Sequence, residues 1–154
     1  AYAADRGVTL VAASGNNGRR TTYWPAAYPS VIAVGAVGAD MRPTTFSTHG
    51  PHVALTAPGE RVLTPALDGY QHATGTSFAA PFVTATAALM IARASRRAFA
   101  LPPETIARLL VETVQPFGAG AAPEGCGAGV LDAFAALRAV DRLIDRERRR
   151  SEDP

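Results

Sequence analysis

Thr74-Gly75-Thr76-Ser77-Phe78-Ala79-Ala80-Pro81 decides the reading of this chain. An alanine-rich stretch, which reads as a helix from Thr76 to Arg93, follows the serine at once. A hydroxyl in the first turn of a buried helix is held rigidly. It also lies in the positive field of the helix N-terminus, where anions are stabilised. A nucleophile of acyl transfer needs such a place, because negative charge develops beside it. Taken alone, Ser77 reads as a helix N-cap. Its setting between Gly75 and Ala79-Ala80-Pro81 turns the reading toward chemistry.

Other segments are ordered around it. Val8–Ala13 is a continuous apolar run and reads as a strand buried on both faces of a parallel sheet. It ends at Ser14-Gly15-Asn16, which puts Asn16 just past a strand's carboxyl end, where open α/β sheets place their sites. Val31–Val37 and Val53–Ala57 read as two further buried strands, the second stopped by Pro58-Gly59. Thr64–Leu67 and Tyr70–Ala73 flank Asp68-Gly69, a hairpin signal, and lead the chain to Ser77.

These segments resemble the subtilisin-like serine proteases, the subtilases. Gly75-Thr76-Ser77, then Ala79 and Pro81, is similar to the family's nucleophile motif. Val11-Ala12-Ala13-Ser14-Gly15-Asn16-Asn17-Gly18 resembles the segment that carries its oxyanion-hole asparagine. Tyr28–Ala36, Ala57-Pro58-Gly59 and Gly127–Ala133 resemble further landmarks in the family's order. The resemblance covers about residues 1–140 and leaves 141–154 as a charged helical or disordered tail. It implies an α/β, subtilisin-like, three-layer domain with a parallel sheet, of which this chain is the C-terminal half.

The activity implied is peptide-bond hydrolysis by a Ser-His-Asp triad. Ser77 is the expected nucleophile and Asn16 the expected oxyanion donor, with Asn17 its rival. Ala13, Ser14 and Gly15 are expected to form one wall of the pocket for the substrate residue before the scissile bond. Tyr23 and Trp24 lie near where the family closes that pocket, and packing under a loop explains them equally well. Phe78 stands where the family commonly has methionine. The family's aspartate and histidine motifs lie before the asparagine segment, and neither occurs here. No Asp is followed by Ser-Gly or Thr-Gly, and His49-Gly50 continues with Pro51. His49, His52 and His72 read as surface or turn residues. The base and its orienting carboxylate are therefore expected in a missing N-terminal half, which becomes the chain's partner alongside a polypeptide substrate. A non-catalytic fragment or interaction module is the alternative.

Composition fits a piece of a globular domain. Of the 154 residues 47% are hydrophobic, and 15 basic residues face 13 acidic ones. Four of those basic residues, Arg146, Arg148, Arg149 and Arg150, stand in the tail, so no nucleic-acid face is expected. No apolar run is expected to span a membrane. No cofactor is expected. A structural calcium at the carbonyls of Ala26, Tyr28 and Val31 is kept open, without a carboxylate cluster to support it. Cys126 is single and reads as a small buried hydrophobe. An extracellular location follows from the family alone, since no signal peptide is visible.

Toward the C-terminus, Pro103-Glu104 reads as a helix start, with Ile106, Leu109, Leu110 and Thr113 on one face. Gly118–Gly129 reads as loop. A third helix is expected from Val130, fraying after Ile144.

Overall fold

The computed structural model describes residues 2–119 and 124–152. A short 3-10 helix, Ala4–Arg6, ends on Gly7 in the left-handed conformation (φ 74°). Three strands follow: β1 (Leu10–Ala13), β2 (Val31–Val37) and β3 (Val53–Pro58). They form one parallel sheet in that order. β2 has neighbours on both edges and is buried from Ile32 to Val37. β1 pairs only with β2 among the described residues, and each of its residues is only half-buried. The expected start at Val8 is therefore two residues early, and the expected two-sided burial of this strand is not met. Its second edge has no ladder to hide it.

A hairpin follows, β4 (Val62–Ala66) with β5 (Gly69–Ala73). Ala66 pairs with Gly69, so Leu67 and Asp68 form the tip. Asp68-Gly69 had been expected there. The turn sits one residue earlier, and Gly69 supplies a φ of 115° at the first position of β5.

Helix α1 spans Thr76–Ser95, α2 Pro103–Glu112 and α3 Ala133–Glu152. All three contribute to one cluster with the alternate residues Ile32, Val34, Ala36, Leu55 and Ala57 of the sheet. Val83, Ala87, Met90 and Ala94 recur at helical spacing on the face of α1 that meets it. From α2 come Ile106, Leu109 and Leu110, and from α3 Ala136, Ala139, Val140 and Ile144. Small residues along α1 let its backbone approach the sheet closely. Pro81 is the sixth residue of α1, beyond its first turn. There it withholds the N–H that the Ser77 carbonyl would accept within the helix.

α1 also reaches the length and apolarity of a membrane span, with mean hydropathy 1.4, contrary to the expectation from its sequence. Thr84 and Thr86 break the apolar run without polarising the helix, because each hydroxyl bonds back to a carbonyl one turn earlier.

Two differences mark α3. It begins at Ala133 rather than Val130, because Val130 bridges to Thr56 and Gln115, and the Asp132 carboxylate then accepts the Ala135 N–H at 2.8 Å. It also continues past Ile144 instead of fraying. Asp141 bonds Arg93 through both carboxylate oxygens at 2.7 and 2.6 Å, and Asp145 bonds Arg97 at 2.6 Å. These pairs tie its charged half to α1, and Ile144 is wholly buried.

Candidate active site

The carboxyl end of β1 and the amino end of α1 meet at Asn16 and Thr76. Gly75 is the N-cap of α1, at φ 152° and with no side chain to cap with. The cap comes from another segment. Asn16 Oδ1 accepts the Thr76 N–H at 2.8 Å and the Thr76 hydroxyl at 2.9 Å. The Thr76 hydroxyl in turn accepts the Gly15 N–H at 3.2 Å. Thr76 is wholly buried and Gly15 half-buried, while Asn16 itself reaches the surface.

This arrangement fixes the orientation of the Asn16 amide. Its oxygen is committed, so its nitrogen faces the other way, toward the loop before the serine. A Cβ added to Gly75 would lie 3.3 Å from Asn16 Nδ2. That closeness, with the positive φ, is why glycine stands there.

Ser77 is the second residue of α1 and is exposed. Neither its hydroxyl nor its backbone N–H has a protein partner among the described residues. It is therefore not the helix cap, and Phe78 N–H instead reaches the Gly75 carbonyl at 3.0 Å. A free hydroxyl and a free N–H in the first turn thus stand at the positive end of a twenty-residue helix, and the Asn16 amide nitrogen lies beside its N-cap glycine.

Asn17 does not compete with Asn16. Its amide nitrogen donates to Thr21 and to the Tyr23 hydroxyl, both at 3.2 Å, and its oxygen accepts from Thr48 and from Arg19 N. Ser14 is wholly buried: its hydroxyl donates to the Thr48 carbonyl and its N–H to the Val34 carbonyl. Only Ala13 and Gly15 of the expected wall are partly open. Trp24 stacks at a tilt on Tyr28, with ring centroids 4.3 Å apart.

The histidines lie elsewhere. His72 is on the exposed face of β5, opposite Leu63, and His49 bridges to the loop at Arg20. His52 has its Nε2 shut off from water without a partner, and burial pushes its pKa below the usual imidazole value. None bonds a carboxylate or Ser77 among the described residues. Cys126 is buried, and desolvation raises its thiol pKa. The Tyr28 carbonyl already accepts the Val31 N–H at 2.9 Å, and no cluster of three His, Cys, Asp or Glu exists among the described residues. A calcium ion takes six to eight oxygens, more than the carbonyls of Ala26, Tyr28 and Val31 supply by themselves.

The sequence profile of the Subtilase family, peptidase family S8, matches residues 1–129, and the chain belongs to that family. It is 35% identical over 157 aligned positions to the extracellular basic protease of Dichelobacter nodosus, covering 96% of this chain and 26% of that protein. It is 47% identical over 90 positions to the thermophilic serine proteinase of Bacillus sp. strain AK1, covering 58% of this chain and 22% of that protein. The fold matches the patellamide maturation protease PatA with a TM-score of 0.84 at 34% identity, over 92% of this chain and 54% of that one. It matches the prenylagaramide maturation protease PagA with a TM-score of 0.82 at 29% identity, over 90% of this chain and 52% of that one. The chain thus spans about a quarter of the length of these curated relatives and about half of these solved chains.

Proposed function

We propose that residues 1–140 are the C-terminal portion of the catalytic domain of a secreted serine endopeptidase. In this reading Ser77 attacks the carbonyl of a peptide bond. Its own N–H and the Asn16 amide donate to the oxyanion that forms. Ala13 and Gly15, with the buried Ser14 between them, line one side of the pocket for the residue before the scissile bond. The general base and the carboxylate that orients it come from an upstream half of the same domain. The reaction needs no cofactor, since acyl transfer through serine consumes only water.

One observation carries the reading: Asn16 Oδ1 is anchored twice to Thr76, which leaves Nδ2 beside Gly75, two residues from an unbonded Ser77 hydroxyl. A turn asparagine needs no such anchor sixty residues away. Preorganised donors of this kind act because they do not have to turn toward the charge when it appears. Extracellular action is supported by relatives described as extracellular proteases, from Dichelobacter nodosus and Xanthomonas campestris.

The test is the chain expressed with its natural upstream region. A fluorophosphonate should label it covalently, and Ser77→Ala should abolish both the label and peptide cleavage. His49→Ala, His52→Ala and His72→Ala should each keep the label. Absent labelling in a folded protein would favour a non-catalytic interaction module instead.

A further inference from the structure

At the amino end of the parallel sheet, away from Ser77, lies a cavity of about 730 Å³. Its walls come from the starts of all three strands, from the loop before β2 and from the first turns of α2. Among the described residues, two buried side-chain polar atoms have no hydrogen-bond partner: Thr9 Oγ1 and His52 Nε2. Both residues line this cavity. Thr9 directly precedes β1, and His52 directly precedes β3. Val11 and Ala54, two residues further along, pack against the helical cluster. By the alternation of a strand, Thr9 and His52 stand on that same face, where Pro103 and Ala107 of α2 bound the cavity from the other side.

A buried polar atom without a partner is costly, so a cavity that collects two of them favours a ligand able to bond both. β2 lies between β1 and β3, which sets the two residues two strand spacings apart, about 10 Å at the backbone. The lining between them is mainly apolar, with Leu10, Val31, Ile32 and Ala54. Glu104 is its one acidic residue, and no Lys or Arg lines it to attract an anion. Burial favours the neutral form of His52, and a neutral imidazole nitrogen or a hydroxyl pairs well with a second hydroxyl. We propose that this cavity is a binding site for a small uncharged molecule: an apolar body the size of a ring, with a hydroxyl at each end, one bonded to His52 Nε2 and one to Thr9 Oγ1. Its volume and its few polar groups in an apolar wall are those of small-molecule sites. The length of β2, roughly 20 Å at the rise of a strand, separates it from the end of the sheet where Asn16 and Ser77 stand. The proposal is therefore independent of the role given to Ser77.

The probe is p-hydroxybenzyl alcohol, a benzene ring with a hydroxyl at each end, added to the protein that includes its natural upstream region. Titration calorimetry should show saturable binding, and the His52 ring resonances should shift with the same Kd. p-Xylene has the ring without the hydroxyls, and p-hydroxybenzoate is an anion. Each should bind at least about tenfold more weakly. His52→Leu and Thr9→Val should each weaken binding of the alcohol by about tenfold and leave p-xylene no weaker. Thr9→Val keeps the shape of the side chain and removes an unpaired polar atom, so it decides the matter if His52→Leu does not fold. No saturable binding overturns the proposal, whether water or upstream residues fill the cavity. So does binding that p-xylene matches, or binding that survives the substitutions. A probe that slows fluorophosphonate labelling of Ser77 by occupying the serine's surroundings, with the His52 resonances unmoved, overturns it as well.

Discussion

The Asn16 side-chain oxygen caps a helix sixty residues away, taking both the N–H and the hydroxyl of Thr76. One amide thus has two tasks. Its oxygen holds the start of α1, and its nitrogen is left to face the region in front of Ser77.

The two tasks separate by substitution. Asn16→Asp keeps an oxygen acceptor for Thr76 and adds a negative charge at a helix N-terminus, which is favourable. It removes the donor. Stability should hold, while kcat falls with KM little changed, since the donor is needed mainly when the carbonyl oxygen becomes an anion. In this family the loss of an oxyanion asparagine costs on the order of 10²–10³ in kcat. Asn16→Ala removes both tasks and should lose, in addition, about 1 kcal/mol of stability as a missing helix cap. Kinetics and thermal unfolding of the two variants, each with the upstream region, check this. If both variants keep the wild-type kcat, Asn16 is a cap and nothing more.

The elements that carry the candidate site are legible in the sequence, and the limits have physical causes. Ser77 and Asn16 were readable because short motifs around a helix start and a strand end carry local geometry. The resemblance alone puts Asn16 ahead of Asn17; the bonds that set the two apart, Asn16 to Thr76 and Asn17 to Thr48, are long-range and leave no mark in the turn's own sequence. The three parallel strands were visible as apolar runs of period-free burial. The half-buried state of β1 was not, because burial depends on a neighbour outside its own residues. Hairpin register slipped by one residue at Leu67-Asp68, as turn signals fix a hairpin more firmly than its phase. The persistence of α3 was hidden for a similar reason. Asp141 and Asp145 look like tail charges until Arg93 and Arg97 are seen opposite them.

That α1–α3 contact has a pH signature. Arg93, hydrogen-bonded to both carboxylate oxygens, holds Asp141 below its ordinary pKa of 3.8, with Arg97 and Arg138 adding smaller effects. A carboxyl whose folded pKa is depressed stabilises the fold above its unfolded pKa, and that contribution is lost as pH falls through the folded value. Asp141→Asn should therefore lower the melting temperature at neutral pH, and the gap to the wild type should shrink as pH falls below about 3.8, where the unfolded carboxylate takes up a proton, and on through the lower value at which the folded one does. The pair is partly open to solvent, so the effect should be modest and weaken with salt. Melting curves from pH 7 to pH 3 at two salt concentrations check this; a gap independent of pH would assign the loss to packing.

The outer face of α1 gives the last prediction. The helix buries Val83, Ala87, Met90 and Ala94, but its other side is equally apolar. Phe82 is 42% exposed, Leu89 54% and Ile91 42%. Beside it, β1 has an unpaired edge among the described residues. An uncovered apolar helix face next to an open strand edge favours association. Residues 1–154 alone should therefore bind a dye that reports exposed apolar surface, and should self-associate as concentration rises. They should also show no peptidase activity, because no histidine here stands with Ser77 and a carboxylate. With the upstream region present, dye binding should fall and a single cooperative melt should appear. Leu89→Lys should separate the two effects: it should improve the solubility of the isolated chain and weaken the protein that includes the upstream region, by burying a charge where an apolar contact is required. Light scattering, dye fluorescence and melting curves on both forms decide the matter. A monomeric, dye-silent 154-residue chain that melts sharply would mean that this helix face is a finished surface.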